Sequence, residues 1–545
     1  MRLFVLLTSL LVIVLSYYPT YHQWKQTPPD REWSGTTFFS DDYAVYLHTI
    51  RQGARGRWTV LDLFTNEPHR GSLLHIYYLL FGKFWSAFGI DPIYSYHLMR
   101  LLASITLLSA AWGFTKTVVA NRFTQAIAWL LICFFNILPG KYFVANLSWL
   151  PILGEPEVTT RFAGQSHHIF GSALLLFSLT IFLRYLERPH PKLLLLGVMI
   201  SFLNSWIEPN TSFATILILL TFIIWKRLTR KNSSNWFLRV FAGTGLEKSP
   251  KESIFIVLVT VFASPALLYF RLLNRTEPWK TLFIFDSFQH FNPTAVTLLS
   301  IFGITGSLTL LFLILRLSRQ KQLISVIEPL PIQMILSWIL VFILLYLASP
   351  ILHINRLRFY HQPIFVPLAI ASTTSLFYLA SLISKKYPKS ITLLLSLLLT
   401  LPTLPTTIAS FKQRIHEYDD LSTLVYPTKY MVDAFGWLSS HSTQTDTVLA
   451  LYEASNIIPV WSNNTVYAGN ITETLNYADK SQQALRFYQN RTTKEESTNF
   501  LTQANIRYVY FGFQENQGVN PYSLPNLKLV YSNPQSSIFE IPASY

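Results

Sequence analysis

Eleven apolar blocks, 16 to 24 residues long and almost free of charge, constrain this chain more than any other feature. A helix needs about 20 residues to cross the hydrocarbon core of a bilayer. In lipid a single segment must satisfy its own backbone hydrogen bonds, so such blocks read as helices. They run approximately over 2–18, 95–117, 124–139, 165–186, 191–206, 207–225, 253–274, 294–317, 330–352, 363–384 and 391–410. The first resembles a signal-peptide core, but no small-residue cleavage site follows it. The aromatic stretch SYYPTYHQW comes next, so it counts as a span. The pair within 191–225 is divided only by Glu208-Pro209-Asn210. Only 13% of the residues are charged, about half the share of a soluble domain. The expected fold class is therefore an α-helical polytopic membrane protein of about 11 spans. Its one cysteine, Cys133, lies inside a block and excludes a disulfide framework or a cysteine metal site.

The net charge of +15 is unevenly placed. Residues 1–410 hold 34 Lys/Arg against 16 Asp/Glu, and residues 411–545 hold 9 against 12. The excess thus sits among lipid-facing neighbours, which excludes a nucleic-acid partner. One set of short loops carries 19 Lys/Arg and the opposite set 7. The positive-inside rule then puts the N-terminus in the cytoplasm and the C-terminal region outside the cell membrane. Two domains are expected: a transmembrane domain over 1–410, with an outer loop at 19–94, and a small extracytoplasmic domain over 411–545. In that tail TVLALY, NTVYAG, NIRYVYFG, LKLVYS and SIFEI read as short strands. KYMVDAFGWLSSH and TKEESTNFLTQA read as helices, the second entered at Thr492 or Thr493. Alternating strands and helices predict a small α/β domain. The outer loop contains helix-like runs at 42–52 and 72–88.

Charged and polar groups are costly at membrane depth, and four clusters fall on the outer side. The adjacent acids Asp41 and Asp42 cannot share one helix face, so one can face a cavity while the other binds elsewhere; both also suit a helix start. His69 and Arg70 precede an amphipathic run that would lie at headgroup depth, where they would meet a lipid phosphate or simply snorkel. Glu155 and Glu157, spaced i, i+2, can reach a divalent cation such as Mg or Mn or a sugar. Arg161 offers a two-point match to phosphate oxygens. His167-His168 offers imidazoles, but neighbours on a helix diverge. Arg356 and Arg358, with His361, oppose the charge bias of their loop, and either bind an anion or pair with the acids of the other clusters. Acids and arginines at one membrane face suit a phosphate-linked lipid substrate. The acid would take a proton from an attacking hydroxyl, and the arginines would stabilise charge on a phosphate leaving group.

The string Asp41-Asp42-x-x-x-Tyr46, Ile50-Arg51-Gln52-Gly53, Trp58, Glu67-Pro68-His69 and LLHIYYLLFG resembles the GT-C superfamily of membrane glycosyltransferases, in particular its protein mannosyltransferase-like and aminoarabinose-transferase-like members. The resemblance is specific over residues 41–82 and general beyond them. It implies a GT-C-like fold and an inverting sugar transfer from a polyprenyl-phosphate carrier to an extracytoplasmic glycan, lipid or protein. It makes Asp41 the leading acid and Asp42 the second; Tyr46, and His361 of the Arg356/Arg358 cluster, are expected toward the substrate. The usual Asp-Glu pair is Asp-Asp here. The usual Lys-Pro-Pro turn reads Glu67-Pro68-His69-Arg70, which moves the positive charge of that turn to His69 or Arg70. The competing readings are a transporter or flippase of a lipid-linked substrate, or an inactive envelope scaffold. Span centres nearly free of charge (Arg100 is the main exception) and the lack of repeat symmetry disfavour a transport path.

Overall fold

The structure is a computed structural model that describes residues 1–36, 40–134, 161–230, 250–288, 305–315, 329–359, 363–401, 404–416, 421–524 and 527–542. It divides into two compact units. The first comprises Met1–Tyr18, Arg100–Tyr269 and Ser287–Arg414, and the second Pro19–Met99, Phe270–Asp286 and Ile415–Tyr545.

The first unit is helical. Among the described residues seven helices of the chain are long and apolar enough to cross a membrane: Arg2–Lys25, Pro92–Val118, Ser166–Glu187, Pro209–Lys226, Lys251–Leu273, Leu330–Leu352 and Phe365–Ile383. Four more apolar helices are shorter: Arg122–Phe134, Pro191–Ile207, Thr305–Leu315 and Pro388–Thr400. Every expected block therefore contains an apolar helix, but seven rather than eleven reach crossing length among the described residues. The helix of the last block stops at Thr400, two residues before Pro402, and a second one begins at Leu404; a proline can neither donate nor continue the ladder. Leu3, Leu6, Leu7, Leu10 and Leu11 stand exposed on the first helix, a surface suited to lipid rather than water. Chain and surface together make this a multi-pass membrane protein. Its packed interior includes Phe114, Trp129, Phe182, Phe222 and Trp338. The indole N–H of Trp129 donates to Thr8 Oγ1 at 2.7 Å, which satisfies a polar group that burial would otherwise penalise. Arg100 is buried, its guanidinium 5.1 Å from the Tyr17 ring centre, and donates to the Ala163 carbonyl at 2.5 Å.

One helix break positions a functional side chain. Pro209 disfavours helical backbone at the residue before it, and Glu208 accordingly sits at φ −143°, ψ 83° between Pro191–Ile207 and Pro209–Arg230. Its carboxylate leaves the helix ladder and packs where Gly171, on Ser166–Glu187, has no side chain. A Cβ at residue 171 would collide with the Glu208 Cβ.

The second unit is mixed. Strands β1 (Thr447–Leu449), β2 (Thr465–Val466), β3 (Ile506–Phe511), β4 (Lys528–Ser532) and β5 (Ser537–Glu540) form one sheet in the order β2-β1-β3-β5-β4. The β1 pairings are parallel, and β5 runs antiparallel to β3 and β4. This is the expected α/β domain, and the helices Lys429–His441 and Lys494–Gln503 stand as read. The second is capped by Thr493, whose hydroxyl accepts from Glu496 N while the Glu496 carboxylate accepts from Thr493 N. Tyr452 opens a helix (Tyr452–Trp461) instead of extending the first strand.

Residues of the first loop belong to this same unit. Glu32 N donates to Pro427 O at 2.9 Å, Val466 N to Leu63 O at 2.9 Å and Gly469 N to Phe64 O at 3.0 Å. The loop's two helices, Ser40–Ala54 and Ile76–Ser86, cross where Gly53 faces the Leu79 backbone and Gly82 faces the Ile50 backbone. A Cβ at either position would strike a carbonyl oxygen. That mutual approach buries the helix 40–54 on nearly every side from Tyr43 to Gly53.

Candidate functional site

Asp41 and Asp42 occupy the first turn of the helix Ser40–Ala54, both half-buried. Asp41 is held from the tail: the Tyr452 hydroxyl donates to its Oδ1 at 2.6 Å, and Asn470 Nδ2 donates to its backbone carbonyl at 3.1 Å. Burial pushes the Tyr452 phenol up, and the bond to Asp41 pushes it further, so Tyr452 remains a donor at any working pH. The Asp41 carbonyl and one carboxylate oxygen are thus fixed by residues some four hundred positions away.

Asp42 adds its charge to a second group of acids. Glu473 is buried, and that burial raises its pKa well above the usual carboxylate range, with the charges of Asp62 and Asp42 adding to the shift. Asp62 is likewise buried and pushed up to about 8, by burial first and against the Phe64 N–H that its Oδ1 accepts at 2.9 Å. Like charges in a dry site cannot all ionise, so this group keeps protons at neutral pH. Glu67 lies at its edge, bonded to Lys480 Nζ at 2.6 Å and accepting from the Thr65 hydroxyl. Lys480 also donates to Asn66 Oδ1 at 2.6 Å.

The other expected residues fall as follows. Tyr46 is buried in a stack with Tyr78 (ring centres 4.5 Å apart) and meets His75 edge-on at 5.4 Å. His69 has both ring nitrogens engaged: Nδ1–H donates to the Glu67 carbonyl at 2.8 Å, and Nε2 accepts from Asp62 N at 3.0 Å. It thereby closes the turn that carries Asp62, and burial lowers its pKa. Arg70 is exposed. These lie in the second unit.

Arg161, Arg356 and Arg358 lie in the first. Arg161 is buried, its guanidinium 4.5 Å from the Phe365 ring centre, and donates to the Ile132 carbonyl at 2.6 Å. Arg356 opens a one-turn 3-10 helix, Arg356–Phe359. From that same turn Arg358 Nη1 meets His168 Nε2 and lies 3.4 Å from Nδ1 of the same ring. His168 Nδ1 is also 2.6 Å from Glu208 Oε2. The His167 ring stacks on His168 with centres 3.9 Å apart, and its Nε2 is 3.9 Å from the same oxygen. The two histidines therefore turn to one side instead of diverging. They sit in the first turn of their helix, ahead of the packed turns that restrict side-chain direction. His167, His168 and Glu208 together bring three possible ligand atoms within 4.8 Å. The expected metal ligands Glu155 and Glu157, and His361, lie outside the described residues.

Residue patterns alone did not single out Tyr452, Asn470, Glu473 or Asp62. Asp62 has a legible signal, an acid inside the run VLDLF, and Glu208 has another, an acid at a proline break between two apolar blocks.

No family model matches the chain, and no curated protein matches it in sequence. Solved structures do match. The archaeal oligosaccharyltransferase AglB from Archaeoglobus fulgidus, in complex with an inhibitory peptide and a dolichol-phosphate, aligns at TM-score 0.51 and 13% identity, over 92% of this chain and 69% of that one. Its apo form aligns with the same values. The chain has a GT-C-like fold. ArnT from Cupriavidus metallidurans bound to undecaprenyl phosphate aligns at TM-score 0.49 and 12% identity, over 99% of this chain and 98% of that one. At such identities what the GT-C likeness establishes is the fold, and the chemistry rests on this chain's own residues.

Proposed function

We propose that this protein is an integral-membrane glycosyltransferase that moves a sugar from a polyprenyl-phosphate carrier to an extracytoplasmic acceptor with inversion. The observation that carries it is Asp41: an acid in a helix's first turn, gripped at Oδ1 by a phenol that cannot ionise, and by Asn470 at its backbone. Such a grip orients the second carboxylate oxygen, and an oriented base is what proton abstraction needs. The acceptor hydroxyl attacks the anomeric carbon as its proton passes to Asp41. The bond from that carbon to the phosphate oxygen breaks, and polyprenyl phosphate leaves with the electron pair. Arginine stabilises the charge that grows on that phosphate, and Arg358 and Arg161 are the proposed sources in the first unit. Asp42, whose charge acts on Glu473, serves as the second acid. AglB and ArnT were solved with dolichol-phosphate and undecaprenyl phosphate respectively, which supports a carrier of that class. Residues 411–545 are proposed to stand outside the cytoplasm with the first loop, on the side where the acceptor would be met.

The test is transfer by the reconstituted full-length chain from labelled polyprenyl-phosphate sugars to an envelope extract, with the product anomer read by NMR. An inverted product is expected. A retained configuration, or carrier movement across the bilayer with no transfer, would favour another mechanism or the flippase reading. A chelator arm addresses the divalent cation expected at Glu155 and Glu157.

A further inference from the structure

We infer that Glu515 is a positioning residue for the transfer step: it clamps the ends of β1 and β3 and so fixes the helix end that presents Tyr452 to Asp41. The inference deepens the proposed function and rests on Asp41 as the base. Tyr452 is the first residue of its helix, Tyr452–Trp461, and Leu451 before it has no side chain that caps the free N–H groups there. The caps come from the turn after β3. Glu515 Oε1 accepts from Leu451 N at 2.9 Å, and Gln514 Oε1 accepts from Glu453 N at 3.4 Å. A capping box supplies acceptors of this kind from the helix's own first turn. Here two neighbouring residues of another segment supply them.

The other oxygen of the same carboxylate, Glu515 Oε2, accepts from Gly512 N at 3.2 Å. The parallel pairing of β1 with β3 runs as far as Leu449 and Val509. The N–H groups of Leu451 and Gly512 therefore lie past that ladder, and one carboxylate joins them. Just before this point the Tyr488 hydroxyl lies 2.9 Å from the Leu449 carbonyl and 2.8 Å from the Tyr510 carbonyl, tying the same two strands. Glu515 is buried, and burial pushes its pKa up to about 7 against the N–H groups it accepts from, with the charge of Glu453 adding to the shift. A buried acid is unfavourable for packing alone. What sets it apart from an amide is a second acceptor oxygen, one for each strand end. A shift of about 1 Å in the helix end would carry the Tyr452 phenol out of hydrogen-bond reach of Asp41. Misplacement on that scale, caused by a residue away from the chemistry, is enough to slow an enzyme.

The experiment uses the full-length chain in nanodiscs, with a single fluorotyrosine at position 452 read by fluorine NMR across pH. In Glu515→Gln one oxygen becomes an amide nitrogen, which cannot accept from a backbone N–H. The phenol at 452 is then expected to become about tenfold more acidic, as its bond to Asp41 is lost. Without the fluorine label, kcat for transfer should fall about fivefold, with KM for the labelled polyprenyl-phosphate sugar unchanged. Glu515→Gln added to Tyr452→Phe should lower transfer no further, because residues acting through one contact are not additive. A general loss of structure would lower it again. Gln514→Ala, at a half-buried position, is the second variant and decides the matter should Glu515→Gln not accumulate. It should show the same changes at about twofold. A phenol at 452 that titrates as in wild type in both variants would overturn the inference. So would a loss that persists in full in the Tyr452→Phe background, or a raised donor KM with kcat unchanged. A shifted titration in a chain that transfers no sugar would instead defeat the transferase reading and leave the positioning role intact.

Discussion

The two units each bury a charged cluster, and they balance it in opposite ways. In the first unit Glu208 Oε2 lies 2.6 Å from His168 Nδ1 and Arg358 meets the same ring, so an acid and a base of opposite charge share one cluster. In the second, Asp62 and Glu473 crowd like charges together beside Asp42, with Lys480 bonded to Glu67 at the edge, and burial raises the pKa of Asp62 and Glu473. One cluster is built to hold a charge in place and the other to hold protons. A phosphate-binding arginine calls for the first kind of environment. Proton transfer from an acceptor calls for an acid, and Asp41 in the same unit is held by its own bond to Tyr452.

Each unit packs around a glycine, and the difference between those glycines yields the largest predicted effects. Gly53 faces backbone, which cannot move aside, so Gly53→Ala should destabilise the second unit by about 3 kcal/mol, the upper part of the range for overpacking. Thermal unfolding of the purified chain in detergent reads this. Next comes Tyr452→Phe, which removes the donor to Asp41. Transfer should fall about tenfold or more, near 1.4 kcal/mol of barrier, with protein yield unchanged. Gly171→Ala faces only the Glu208 side chain, which can shift. Its expected effect is a smaller loss of stability than Gly53→Ala, measured by melting of the same sample.

The smallest effect sharpens the proton-holding side. Asp62 and Glu473 have folded pKa values above their unfolded ones, so the folded chain binds more protons than the unfolded chain between about pH 4 and 8. Their contribution to stability is fully present below that window and is lost as pH rises through it. Melting temperature should therefore decline from pH 5 to pH 9 on their account, and the slope should flatten in Asp62→Asn. An unchanged slope would mean the acids are ionised and paired in some other way.

Much of the fold was legible because lipid imposes a simple rule on a helix: long, apolar and uncharged. Every apolar block contains a helix, the helix break at Glu208-Pro209 stands where the proline requires it, and the five strands of the tail follow their hydrophobic runs. Candidate residues stood out where polarity conflicts with surroundings, as at Asp41-Asp42 and Arg358, whereas the histidine pair was expected to diverge and instead stacks. It was hidden where function depends on distant partners. Nothing local in NITETLNYADK marks Asn470 as a donor to Asp41 or Glu473 as a neighbour of Asp62, because those contacts arise only when residues 41–67 and 452–480 share one unit. His69 shows the converse. Its setting suggested a headgroup contact, whereas its two nitrogens close a turn.

The central claim is that Asp41 takes the acceptor's proton, and one comparison tests it most directly. Wild-type and Asp41→Asn proteins, reconstituted at equal amounts, are given the same labelled polyprenyl-phosphate sugar and acceptor. Asn keeps the size and can still accept from Tyr452 but cannot take a proton, so transfer should drop by about 10²–10⁴ while undecaprenyl phosphate binds as before. Transfer by Asp41→Asn at the wild-type rate would contradict the account.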